Sequence, residues 1–154
     1  MRLTNLTDYA LRLLMYLGQH EDRLCTIAEI AQYHQISEAH LMKVTHLLAK
    51  GGWIQTQRGK NGGMRLSRPP EDMNLGQLVR YTENDLAVVE CLGSDSRCVI
   101  SGRCGLSGIL NQALARFLSH LDGYTLKDIL PPVPGQEQAV HWPTASRPAH
   151  TGAP

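Results

Sequence analysis

Residues 26–66 read TIAEIAQYHQISEAHLMKVTHLLAKGGWIQTQRGKNGGMRL, and the order of signals in this stretch decides the fold. Thr26 and Glu29 have the spacing of a capping box, in which each side chain satisfies a free backbone N–H at a helix start. A short helix follows, with Ile27, Ile30 and Ala31 on one side. His34-Gln35 makes a tight turn, Ile36 faces inward, and Ser37 caps a second helix that runs through Leu41, Val44, Leu47 and Leu48. Gly51-Gly52 ends that helix. Trp53 to Gln57 and Met64 to Ser67 then read as two strands. The segment Arg58-Gly59-Lys60-Asn61-Gly62-Gly63 joins them, and its Asn-Gly and Gly-Gly pairs supply the positive φ angles of a hairpin turn.

On the N-terminal side, residues 4–19 predict a helix. Leu6, Tyr9, Ala10, Leu13, Leu14 and Leu17 form its apolar face, Thr4 can cap its start, and Asp8 lies off the stripe. The series helix, helix, turn, helix, hairpin is a winged helix-turn-helix, mainly α with a small β-hairpin wing.

On the C-terminal side, Pro69-Pro70 breaks the chain and Asn74 caps a helix with Leu75, Leu78 and Val79 inward. Residues 83–105 read as irregular. A long helix is expected from about Leu106 to Asp122, with Ile109, Leu110, Ala113, Leu114, Phe117, Leu118 and Leu121 as its stripe. That stripe is wide for a helix outside the compact domain, so it predicts a homodimer, with packing on its own domain as the alternative. Thr125 caps a short helix ending at Leu130. Three segments are therefore expected: a DNA-binding domain over 1–70, a cysteine loop and dimerisation helix over 71–130, and a disordered tail over 131–154. The tail holds most of the chain's eight prolines and few apolar groups. His141-Trp142 within it is the one candidate contact motif.

Hydrophobic residues make up 42% of the 154 residues, enough for a packed core, and no apolar run approaches membrane-spanning length. With no basic-then-apolar leader pattern, the expected location is the cytoplasm. The net charge of +1 hides an asymmetry. Met1 to Arg68 carries nine Lys+Arg against five Asp+Glu, and the rest carries six against nine. Lys43, Lys50, Arg58, Lys60, Arg65 and Arg68 fall in a stretch without acids, which suits a polyanion partner.

The second helix of the helix-turn-helix is the natural element to enter a major groove, with its first residues toward base edges. Ser37, Glu38, His40 and Lys43 are its candidate contacts; Glu38 can accept from a cytosine amine and His40 can donate to a purine. Met42 can meet a thymine methyl. From the wing the candidates are Arg58, Lys60, Asn61 and Arg65, of which an arginine at the tip can enter a narrow minor groove. Exposed side chains without a partner are the alternative reading for each. Enzyme chemistry is not expected: no nucleophile–base pair, paired carboxylates or phosphate-cradling glycine loop is present.

Cys91-x6-Cys98-x5-Cys104 places three thiols in 14 residues separated by glycines and serines. In a reducing compartment such a group points to metal or redox chemistry. Thiolates suit an iron–sulfur cluster, zinc or copper(I), and three of them leave a fourth position open. Cys25, far along the chain, reads as a small core residue and also as a candidate fourth thiolate.

Taken together, Ile36-Ser37, Leu41-Met42-Lys43-Val44, Gly51, Ile54 and Arg58 through Leu66 resemble the winged-helix iron–sulfur transcription regulators, the group that includes the NsrR and IscR types. Leu3-Thr4, Thr7-Asp8-Tyr9-Ala10-Leu11-Arg12 and Leu121, Tyr124-Thr125-Leu126 match as well, so the resemblance covers roughly residues 1–130. The NsrR type is the nearer one. Asp8 stands where that type has the carboxylate that completes a 4Fe–4S cluster across the dimer interface. Cys91, Cys98 and Cys104 would supply the other ligands. The IscR type uses a histidine beyond its third cysteine for a 2Fe–2S cluster, and Gly105 to Ser119 contains none. The six-residue gap between Cys91 and Cys98 is longer than in many relatives. The resemblance implies a homodimeric repressor that binds inverted-repeat operator DNA and releases it when nitric oxide nitrosylates the cluster. The alternatives are a 2Fe–2S or redox-responsive regulator of the IscR type, and a zinc or cysteine-redox DNA-binding regulator.

Overall fold

The computed structural model describes residues 2–89, 92, 98–100 and 104–131. The tail expected over 131–154, including His141-Trp142, lies outside them except for Pro131, as do Cys91 and most of the loop between Cys91 and Cys104.

Helix α1 (Asn5–Gly18) is the centre of the fold. Thr4 caps it with its hydroxyl, and Ala10, Leu13, Leu14 and Leu17 are all but sealed from solvent. Around it pack α2 (Ile27–His34), α3 (Glu38–Lys50), α4 (Leu75–Thr82) and α6 (Leu126–Ile129). The caps sit where the side chains predict: Thr26 accepts from the Glu29 N–H, Ser37 from His40 and Asn74 from Gln77. Gln35 takes the left-handed conformation at the α2–α3 turn, φ 55°, which lets the chain reverse within three residues.

Strands β1 (Ile54–Gln57) and β2 (Gly63–Leu66) pair antiparallel with Ile54 opposite Leu66 and Gln57 opposite Gly63. Against the sequence reading β1 loses Trp53 and keeps its end at Gln57, while β2 lies one residue earlier, gaining Gly63 and losing Ser67. The Trp53 N–H donates to the Leu48 carbonyl at the end of α3, and the Ser67 N–H to the Trp53 carbonyl. A third piece joins this sheet. Cys25 exchanges both backbone hydrogen bonds with Met64, at 2.9 and 2.8 Å.

A 3₁₀ turn over Pro70–Asp72 leads into α4. The long helix α5 (Gly105–Asp122) returns against α4. Arg80 of α4 forks onto the Asp122 carboxylate with both guanidinium nitrogens, and Gly76 leaves the space that Asp122 fills; a β-carbon there would overlap it. After α5 the chain ties back to the core. Asn74 and Thr125 form an isolated bridge, the Leu126 N–H donates to the Met73 carbonyl, and Leu126 is buried in the same cluster as Leu13 and Leu78. No residue of α5 is itself buried. Of the predicted stripe, Ile109 (66%) and Ala113 are exposed, while Leu110, Leu114, Phe117, Leu118 and Leu121 are half-buried within one chain; Leu106, just outside it, is exposed too.

Candidate nucleic-acid interface and cysteine site

Helix α3 has two sides. Leu41, Val44, Thr45 and Leu48 are buried, while Ser37, Glu38, Ala39, His40, Met42 and Lys43 are exposed. The first turn is held in a defined arrangement. Ser37 Oγ accepts the His40 backbone N–H at 3.4 Å and lies 2.8 Å from His40 Nδ1. The Tyr9 ring of α1 stands 6.0 Å from the imidazole at 43°. Asn5, Leu6, Tyr9, His40, Lys43 and Val44 line a shallow groove between the two helices.

In the wing, Arg58, Lys60 and Asn61 are exposed at the tip. The turn closes through the Gly62 N–H on the Gly59 carbonyl at 2.9 Å. Its positive φ, 112°, falls on Gly59, a conformation that disfavours any side chain, and not on Asn61, Gly62 or Gly63 as the Asn-Gly and Gly-Gly pairs predict. Arg65 on β2 is exposed and donates across the strands to Gln55 Oε1 at 3.3 and 3.4 Å. Four cations, Lys43, Arg58, Lys60 and Arg65, therefore stand free of carboxylate partners in the ion pairs of the described residues. Positive groups unneutralised by their own chain are what a phosphate backbone requires. The connection between α3 and the wing is stiff: the Tyr81 hydroxyl donates to the Leu47 carbonyl at 2.9 Å, packed where Gly51 lacks a side chain.

The cysteine site is seen in part. Cys98 and Cys104 are half-buried, Cys91 lies outside the described residues, and Cys104 is the residue that opens α5. Its side chain makes no capping hydrogen bond, so the first N–H groups of an 18-residue helix face this end without one. Asp8 sits in the first turn of α1, half-buried, with Oδ2 3.0 Å from Arg12 Nε. Among the described residues of one chain, no three His, Cys, Asp or Glu side chains gather at metal-binding distance. Cys25 is fully buried in the core, and burial pushes its thiol up to about 11. Its place is that of a small core residue.

Sequence reasoning missed Glu83. It directly follows α4 and is 8% exposed. Its Oε1 accepts from the Thr4 N–H at 2.8 Å, the Thr4 hydroxyl at 3.1 Å and the Thr7 hydroxyl at 2.5 Å. Thr7 also meets the Thr82 hydroxyl at 2.8 Å, and Thr7 and Thr82 are both sealed from solvent. This carboxylate binds the N-terminus of α1, the positive end of its dipole, to the point where the chain leaves for the cysteine loop. In sequence, Thr82-Glu83-Asn84 looks like the start of an exposed loop; the Thr4-x-x-Thr7 pair that makes the pocket is 75 or more residues away.

Residues 3–132 match the family described as "Rrf2: Iron-dependent Transcriptional regulator". A relative named HTH-type transcriptional regulator NsrR, from Bacillus licheniformis, is 47% identical over 132 residues, covering 84% of this chain and 92% of its own length. Among solved structures, the oxidized form of Staphylococcus aureus CymR superposes with a TM-score of 0.70 at 22% identity, over 86% of this chain and 98% of its own. T. potens IscR does so with 0.67 at 22%, over 83% and 85%. At that identity the two structures speak to the fold alone. They agree with a winged helix-turn-helix carrying a long C-terminal helix.

Proposed function

The chain belongs to the Rrf2 family of iron-dependent transcriptional regulators, and from that membership we propose that it is a cytoplasmic, iron–sulfur-containing repressor that senses nitric oxide. It is a DNA-binding transcriptional regulator and not an enzyme. The observation that carries the finer reading is the 47% identity to a regulator named NsrR across nearly that protein's whole length.

In this reading Ser37, Glu38, His40 and Lys43 approach the major groove of an inverted-repeat operator. Arg58, Lys60, Asn61 and Arg65 hold the adjoining backbone and minor groove. Two copies associate through the stripe of α5, of which Ile109 is exposed in one chain, as is Leu106 beside it.

The donor set fits a cluster. Cys98 and Cys104 are accessible, Cys104 stands at the uncapped positive end of α5, and soft thiolates match iron–sulfur chemistry. Cys91, Cys98 and Cys104 would hold the cluster, and Asp8 of the partner subunit would complete it. A bound 4Fe–4S cluster supplies iron that reacts with nitric oxide. Asp8 is readily released to such a role, because its pair with Arg12 is an exposed i,i+4 contact worth about 0.3–0.5 kcal/mol. Asp8 lies between Thr7, which Glu83 grips, and Tyr9, which rests beside His40. A change in what Asp8 holds therefore bears on the helix that carries the recognition face.

The test is absorbance and native mass spectrometry of the anaerobically purified protein, before and after nitric oxide, with Asp8→Ala in parallel. A dimer with four irons and four sulfides per subunit, losing operator binding on nitrosylation, is expected, with an altered spectrum in Asp8→Ala. A two-iron cluster indifferent to nitric oxide, or a colourless zinc protein, refutes the assigned signal. An unchanged spectrum and response in Asp8→Ala refutes the ligand.

A further inference from the structure

The first turn of α3 holds its histidine more tightly than capping requires. Ser37 Oγ lies 2.8 Å from His40 Nδ1 while accepting the His40 backbone N–H. A hydroxyl has one proton to give. With its oxygen already accepting at the helix cap, that proton is best placed on the imidazole nitrogen beside it. When the hydroxyl donates there, Nδ1 is the acceptor and the neutral ring carries its proton on Nε2. On one side the Tyr9 ring stands 6.0 Å from the imidazole. His40 is exposed, so its Nε2 edge is the part left for a ligand.

Resting on the DNA-binding reading, we propose that His40 is a specificity-determining residue for operator DNA. Its Nε2–H, fixed by Ser37, donates to the N7 or O6 acceptor of a purine in the major groove. A ring free to change tautomer could accept from an adenine or cytosine amine as readily as donate to a purine, and would discriminate little. The serine removes that choice. It gives one side chain both the helix cap and the polarity of the neighbouring reader. Glu38, exposed two residues earlier, has only acceptors to offer, so the two readers of this turn have opposite polarity.

The experiment starts by selecting a preferred duplex from a randomised pool with the full-length, anaerobically purified dimer. Each purine of that duplex is then replaced in turn by its 7-deaza analogue, which lacks N7, and a selected guanine by 2-aminopurine, which lacks O6. Wild type should lose about tenfold in affinity at one position per half-site, the size of a single good base contact. His40→Ala should bind more weakly overall and be indifferent to the same replacement. Ser37→Ala should keep part of the affinity but lose most of the discrimination, and Ser37→Thr, which retains the hydroxyl, should restore it. The proposal is overturned if His40→Ala stays as sensitive as wild type at every position. It is equally overturned if the His40-dependent position is an adenine or cytosine read through its amine. Failure to select any duplex would instead refute the DNA-binding reading itself, and this proposal with it.

Discussion

Replacing Glu83 by alanine removes the acceptor for three donors at once, two from Thr4 and one from Thr7. They do not count equally. Thr4 is exposed, so its N–H and hydroxyl can turn to water, and their release costs little. Thr7 is sealed from solvent, and the other groups within its reach are the hydroxyls of Thr82 at 2.8 Å and Thr4 at 3.3 Å. Net, a hydrogen bond to a charged partner is worth about 1.5–3 kcal/mol, and removing the carboxylate also takes one negative group from the positive end of α1, leaving Asp8 of its first turn. The expected destabilisation is therefore about 2–3 kcal/mol, or a fall in Tm of roughly 6–10 °C for a chain of this size. Glu83→Gln keeps an oxygen in place and should cost about 1 kcal/mol. Urea unfolding at one fixed protein concentration, needed because association adds to apparent stability, gives the first readout. Amide hydrogen exchange gives the second, with faster exchange confined to the first turn of α1 and the end of α4. If Glu83→Ala unfolds within about 0.5 kcal/mol of wild type, the size of an ordinary surface substitution, or exchange quickens evenly over the chain, the clamp as described is wrong.

Removing Arg58 or Lys60 should weaken binding to all duplexes by similar factors and lower the slope of log K against log salt by about one for each phosphate the side chain neutralises; a variant with an unchanged slope touches no phosphate at that position. Ile109→Asp should shift the protein toward monomer in sedimentation velocity while leaving its thermal unfolding intact at high dilution, because Ile109 is 66% exposed in the single chain. A dimer of wild-type strength in that variant would place the interface elsewhere. Cys25 supplies a pH prediction. Its thiol is pushed up to about 11 from an ordinary 9.0, so the unfolded chain ionises first as pH rises. Its stabilising contribution is complete below about 9 and is lost on the way to 11. Cys25→Ala should flatten that part of the stability–pH curve; an identical curve means the thiol does not matter there.

Much of this architecture is written locally in the chain. The α1 stripe and the Thr26, Ser37 and Asn74 caps each rest on residues within four positions of one another, which is the range over which helix periodicity and capping act. The wing turn, by contrast, lies where its residues predict but takes its positive φ at Gly59 rather than at Asn61-Gly62. The candidate DNA contacts of α3 follow from its cap, because a cap fixes which residues occupy the exposed first turn. What escapes a reading of the sequence is long-range. Cys25 pairs with Met64 through backbone groups alone, which carry no side-chain signature. Glu83 becomes a buried clamp only once α4 lies beside α1, and Asn74 meets Thr125 across some 50 residues of intervening chain. The assembly of the cysteine site belongs to the same class, since its ligands are drawn from a loop and, in the proposed reading, from a second chain.

The bridge between Cys25 and Met64 has a consequence for how tightly the protein can hold a duplex. A two-stranded hairpin attached only at its ends would flex in solution and have to be immobilised each time it met a groove. Here the hairpin is laced at its base to Leu48 through Trp53, and nearer its turn, at Met64, to the segment before α2 and, through the buried Met64 side chain, to the core. Its freedom is surrendered once, during folding, and not again at each encounter. Wing and recognition helix thus arrive as a single rigid caliper, and in the proposed dimer adaptation to operators of different half-site spacing falls to the joint between two subunits.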